Sequence, residues 1–277
     1  MIDSKTRKPS IASILRLAGN LLACCAAALA AHAAEAAPVV SPTTVSSTLV
    51  VEAFGSERGL AVENVIAIYQ DRTGFLWIGT RQGLIMYDGH SATTFAHDVS
   101  DPHSIPDNYV RTVFEDRDRN LWIGTNSTGL AKLDRATWTF QSYRHDSANP
   151  KSISHDSVNV IFQDRAGALW VGTQIGLNRF DPATGNFEQL LSDANNPASL
   201  SNDYVYALHE DIDGQMWVGT VGGGLDRLDR STLSFTHRRS DPSDPTTLSS
   251  NKVFAIAEDQ QGQLWIGTEQ GLDRLDR

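Results

Sequence analysis

Only two cysteines occur in the 277-residue chain, Cys24 and Cys25, and they are adjacent. Neighbouring cysteines disfavour a bridge, so neither a disulfide framework nor a thiolate metal site is available. Cations are scarce as well: 23 Lys and Arg stand against 33 Asp and Glu, a net charge of −10. Four of those cations, Lys5, Arg7, Lys8 and Arg16, lie at the extreme N-terminus, so the remainder is more acidic still. Such a body repels phosphate backbones, which argues against nucleic acid as a partner. The eight histidines are scattered over the repeats, without H-x-x-H or H-E-x-x-H spacing, and neither G-x-S-x-G nor G-x-x-x-x-G-K-[ST] occurs. No catalytic residue, metal or cofactor is expected, although the fold could still gather two carboxylates from separate segments for acid–base work.

Long apolar runs are also missing, with one exception. Residues 17–34 carry no charge, follow a basic segment and end near Ala31-His32-Ala33. A basic start, an Ala-rich apolar stretch and a small-residue site describe a secretory signal peptide over residues 1–33. A retained anchor and a lipoprotein attached at Cys24 are the alternatives. Residues 34–47, small and Pro-bearing, read as a flexible linker.

What is abundant is repetition. Leu76-Trp77-Ile78-Gly79-Thr80 returns as Leu121–Thr125, Leu169–Thr173, Met216–Thr220 and Leu264–Thr268. Successive tryptophans, Trp77, Trp122, Trp170, Trp217 and Trp265, are 45, 48, 47 and 48 residues apart. Six positions before each stands Asp71, Asp116, Asp164, Asp211 or Asp259, and three before it a glycine in four repeats. Asp accepts turn amides and Gly takes positive φ, so each pair marks a hairpin. The second repeat has Arg119 in the glycine slot. Its turn is expected to shift onto the neighbouring Asn120, which tolerates the left-handed region.

The alternating run before each turn predicts strand one, and Leu-Trp-Ile-Gly-Thr predicts strand two. The Gly of strand two is expected to admit a neighbouring backbone or ring. Runs after Gly83-Leu84 and its counterparts predict strand three, and segments around Phe95, Phe140, Phe187 and Phe235 strand four. Four short antiparallel strands at this period make a propeller blade. The fold class is therefore all-β, a β-propeller with five repeats over residues 48–277. Residues 49–54 read as an extra strand and the fifth repeat lacks its fourth. That leaves either a closed five-bladed ring or a truncated part of a larger propeller. The connectors repeat too, as in Asp98…Asp101-Pro102…Ser104-Ile105, with the final Ile or Leu expected to plug between sheets and the acids to cap solvated turns rather than hold calcium.

The D-x-x-G-x-L-W-[IV]-G-T segment, G-L-x-x-[LYF]-D and the D-x-x-[DN]-P-x-[ST]-[IL] connector together resemble the two-component regulator propeller repeats. The resemblance implies a periplasmic ligand-sensing propeller of a hybrid histidine kinase or diguanylate cyclase, anchored in the inner membrane through its parent. It implies a small-molecule ligand, carbohydrate fragments among the candidates, and homodimerisation through the parent protein. No kinase or cyclase motif is present here, so this chain is expected to be a non-enzymatic sensor portion lacking its transmembrane and output domains. The competing readings are a propeller enzyme of lyase or quinoprotein type and an envelope scaffold that binds another protein.

Residues common to every blade, the five tryptophans and five aspartates, are expected to be scaffold. Recognition should fall where blades differ, on the loops entering strand one and those between strands two and three. The candidate ligand-binding residues are Arg81, Asn108, Asn126, His155, Gln174, Asn202, Tyr204, Asn251 and Glu269. Amides, an Arg and aromatic hydroxyls around a depression suit a polyhydroxylated or carboxylated ligand.

Overall fold

The computed structural model describes residues 64–275. The segments expected to be a signal peptide, a linker and a strand at 49–54 lie outside the described residues. Within them the chain is all strand and turn. The first sheet holds β1 (Ala67–Gln70), β2 (Leu76–Gly79), β3 (Leu84–Tyr87) and β4 (Ala92–Phe95). The second holds β5 (Val110–Glu115), β6 (Leu121–Thr125), β7 (Leu130–Asp134) and β8 (Thr139–Tyr143). The third holds β9 (Val158–Gln163), β10 (Leu169–Thr173), β11 (Leu177–Asp181) and β12 (Asn186–Leu190). The fourth runs β13 (Val205–Glu210), β14 (Met216–Thr220), β15 (Gly224–Asp229) and β16 (Ser234–Arg238). The fifth has three described strands, β17 (Val253–Glu258), β18 (Leu264–Thr268) and β19 (Gly271–Leu275). Every sheet is an antiparallel meander in chain order. This is a β-propeller with five blades, whose innermost strands β1, β5, β9, β13 and β17 touch in succession.

The core lies between blades. Trp77 packs with Ile105, Val110, Leu121 and Phe140 of the second blade. Trp122, Trp170 and Trp217 pack in the same way on the blade that follows each. These four are 0%, 2%, 1% and 4% exposed, whereas Trp265 is only half-buried. Each indole Nε1 donates to the aspartate six residues earlier, at 2.7–2.9 Å. The connector plugs Ile105, Ile153 and Leu200 are 0%, 0% and 1% exposed, as the repeated Pro-turn predicts. The connector acids accept turn amides, for example Ser100 N–H on Asp98 and His103 N–H on Asp101.

Two local expectations need correction. The strand-two glycine admits no ring but a valine side chain of the next blade, joined at Gly79 by the backbone carbonyl of Val110. A Cβ built on Gly124, Gly172 or Gly219 would lie 2.6 Å from a methyl of Val158, Val205 or Val253, and Gly79 meets Val110 at 2.8 Å. A neighbour's β-branched knob fills each hole, and any side chain there would push two blades apart. Gly267 meets only Ala255 of its own blade.

The second correction concerns the turn at Asp116. It does not shift: Arg119 itself takes the glycine's place at φ 66°. Asn120 instead uses its side chain, donating Nδ2–H to Asp116 Oδ2 at 2.8 Å. A non-Gly residue in the left-handed region is strained, so Arg119→Gly should raise stability by about 1 kcal/mol in urea denaturation. A loss would show that the Arg119 side chain makes a contact outweighing that strain.

Candidate functional site

Each blade has two ends. At one end the Asp-Gly hairpins meet; at the other, the loops after strand two meet the connectors entering strand one. Backbone bonds tie that loop end together. Asn126 N–H donates to Tyr109 O, Gln174 N–H to Ser157 O, Val221 N–H to Tyr204 O and Glu269 N–H to Lys252 O. Gly129 N–H and Gly176 N–H reach across to Asp156 O and Asp203 O of the following connector. The two loop sets therefore form one continuous surface along the arc of blades.

The candidate side chains differ in how free they are. Asn108 Oδ1 accepts His97 N–H at 2.8 Å and Asn251 Oδ1 accepts Ser240 N–H at 2.8 Å. Asp156 and Asp203 occupy the same slot and take the same bond, so this position staples a connector. One residue earlier, His155 Nδ1 accepts Ser157 N–H and Asn202 Oδ1 accepts Tyr204 N–H, both at 2.9 Å. His155 consequently carries its proton on Nε2. Glu269 pairs with Lys252 Nζ at 2.9 Å on the exposed loop of the fifth blade. Arg81 stacks over the Tyr109 ring, 5.3 Å from its centroid. Asn126 accepts from Arg111 at 3.3 Å, and the Tyr204 ring lies 6.2 Å from that of Tyr206. Gln174 is half-buried.

Sequence reasoning missed one row of this surface. The residue after each knob valine is Arg111, Asn159, Tyr206 or Phe254, and the first three of these side chains reach the next blade. Arg111 Nη1 donates to Ser157 Oγ at 2.9 Å, Asn159 Nδ2 to Val205 O at 2.8 Å, and Tyr206 packs edge-on against Phe254 at 5.4 Å. The signal was available: this slot varies from charged to amide to aromatic beside an unvarying valine. In the sequence alone the row passes for plain strand alternation.

Blade four carries a buried titratable pair near the outer strands. Asp226, fully buried, accepts Ser201 N–H at 2.8 Å and lies 2.7 Å from His237 Nδ1. His237 Nε2 lies 2.9 Å from Pro197 O, so the ring stands between two acceptors. Burial pushes the Asp226 carboxyl above its ordinary range, outweighing the bonds from Ser201 and His237. A raised folded-state pKa adds stability below the unfolded value, and that stability is lost as pH rises through the folded value. Asn178 holds the same slot in blade three, bonded to Ser154. Asp226→Asn should therefore gain stability relative to the parent as pH goes from 4 toward neutrality. A pH-independent difference in urea midpoints would contradict this.

Two open recesses lie on the rim of the propeller. One is lined by Arg227, Arg230 and Thr236 of blade four, the other by Lys151, Arg179 and Phe187 of blade three. Neither includes a candidate residue of the loop end. Among the described residues no group of three His, Cys, Asp or Glu is placed to hold a metal, and no helix is long and apolar enough to cross a membrane.

The two component regulator propeller family matches at residues 59–82, 104–127, 152–174, 199–222 and 247–270. The five repeats belong to that family. Each match spans one hairpin and its Leu-Trp-Ile-Gly-Thr strand, the part the repeats share most. The extracellular domain of the hybrid two component system BT3049 from B. thetaiotaomicron is 30% identical with a TM-score of 0.69, covering 81% of this chain and 30% of that one. Histidine kinase P4 of Formosa agariphila is 40% identical over 60 residues, 22% of this chain and 4% of that protein. The chain thus spans under a third of the first relatives it resembles. Virginiamycin B lyase from Staphylococcus aureus shares the fold alone, at 16% identity and a TM-score of 0.53, covering 76% of this chain and 68% of that one.

Proposed function

We propose that this propeller detects a small-molecule ligand outside the cytoplasm, for a signalling protein whose output function lies in another domain. The observation that carries the reading is a family repeat in register five times, combined with 30% identity to a sensor's extracellular domain over 81% of the chain. The basic and apolar N-terminus of residues 1–33 supports export, with cleavage after Ala33 and an inner-membrane parent. Either a histidine kinase or a diguanylate cyclase would serve as output. The loop end supports recognition, because its exposed side chains vary between blades while the scaffold does not. This part of the protein acts by binding, without turnover. Fractionation and N-terminal sequencing test the location: a chain beginning at Ala34 in the periplasm is expected, and an intact Met1 in the cytoplasm overturns it. Calorimetric titration with saccharides and organic acids tests the sensing role, which fails if no compound in the panel binds.

A further inference from the structure

We propose that the loop end of blades two and three binds a carboxylate, and that Arg111 is the residue that holds it. The assignment rests on the sensing reading above and specifies the ligand chemistry at that surface. In a chain where acids outnumber bases, the half-buried arginines at the other end are fully neutralised. Arg135 touches Asp71 at 2.8 Å and Glu115 at 3.0 Å; Arg230 touches Asp164 at 3.1 Å and Glu210 at 2.8 Å. Arg111 is half-buried too, yet among the described residues it has no carboxylate within ion-pair distance. A hydroxyl, Ser157 Oγ, and an amide oxygen, Asn126 Oδ1, both uncharged, hold one of its terminal nitrogens. The other terminal nitrogen and Nε remain as donors, the fork that suits a carboxylate.

The surroundings point the same way. Nearby acids are committed to backbone amides: Asp107 accepts from Tyr109 and Ser127, and Asp156 from His145. His155 accepts Ser157 N–H through Nδ1, which leaves its Nε2–H as a further donor beside the hydroxyl that positions Arg111. Arg81, stacked on Tyr109, adds a second cation on the same loops. The protein is acidic overall and few cations gather at this surface, which favours the single negative charge of a carboxylate over the double charge of a phosphate.

The test is NMR titration of the full chain, following the Arg111 side-chain Nε–H resonance, with three probes that share one ring: glucuronate, glucose 6-phosphate and glucose. Glucuronate is expected to move the resonance saturably and to bind about ten-fold tighter than glucose. Arg111→Gln should abolish that preference with the thermal midpoint unchanged. Arg111→Lys, which keeps the charge but not the fork, should lose most of it and serves if the Gln variant folds poorly. An unmoved resonance, an equal response to glucose, or equal or tighter binding of glucose 6-phosphate each overturns the carboxylate assignment. Binding of glucose without preference would do so while leaving the sensing reading intact, so the two fail separately.

Discussion

Replacing Trp122 with alanine should destabilise the protein by about 3–5 kcal/mol, the range for a buried large aromatic, whereas Trp265→Ala should cost clearly less. The difference comes from what each ring touches. Trp122 is 2% exposed, meets Phe180 edge-on at 5.1 Å and packs with Ile153, Val158 and Val171 of the next blade. Its removal opens a cavity on both sides of a blade joint and takes a donor from buried Asp116. Trp265 keeps the same indole bond, to Asp259 at 2.8 Å, but is half-buried and has no described blade beyond it. Urea denaturation of both variants provides the comparison. Equal losses would mean that the indole–aspartate bond, and not packing between blades, makes tryptophan necessary in this slot.

Blade number, strand order, hairpin positions and the packing role of the first four tryptophans were all legible, because each repeats with the fold's own period. Residues that act once, or act between repeats, were not. Arg135 reaches an aspartate 64 positions away, a distance no local pattern displays. The side chains of Asn108 and Asn251 looked free because a polar loop residue reads the same whether it faces a ligand or caps a connector 11 positions upstream. The Arg119-Asn120 departure becomes intelligible only with the third dimension. Asp71 and Asp164 receive an arginine from the following blade, but that slot in blade three is Pro182, which donates nothing. Asn120 supplies the missing donor to Asp116 from within its own turn.

The same comparison between blades leads to the second large effect. The last residue of each first strand is Glu115, Glu210 or Glu258 where the residue after the aspartate of the G-L-x-x-[LYF]-D segment is Arg135, Arg230 or Arg277. It is Gln70 or Gln163 where that residue is Gly89 or Pro182. The pairing has a physical cause at the described joints. Glu115 and Gln163 do the same structural work, accepting the backbone N–H of Arg72 at 2.9 Å and of Arg117 at 2.8 Å, so either oxygen closes a joint. Only the carboxylate adds a buried charge, and it is tolerated only with its guanidinium. Burial alone would raise the Asp71 carboxyl, but the bonds from Thr73, Trp77 and Arg135 outweigh it and hold the group below its ordinary range. Arg135→Ala takes the shared guanidinium from two carboxylates whose side chains are both 0% exposed, leaving Asp71 to Thr73 and Trp77 and Glu115 to Arg72, whose Nε is 3.9 Å away, and it should cost about 3–5 kcal/mol at neutral pH. Adding Glu115→Gln, the residue that blades one and three already use without an arginine, should recover a large share of that loss. A double-mutant cycle by urea denaturation measures the recovery. Strict additivity of the two substitutions would show that Glu115 and Arg135 are not energetically coupled, and that the alternation of Glu with Gln along the chain has some other origin.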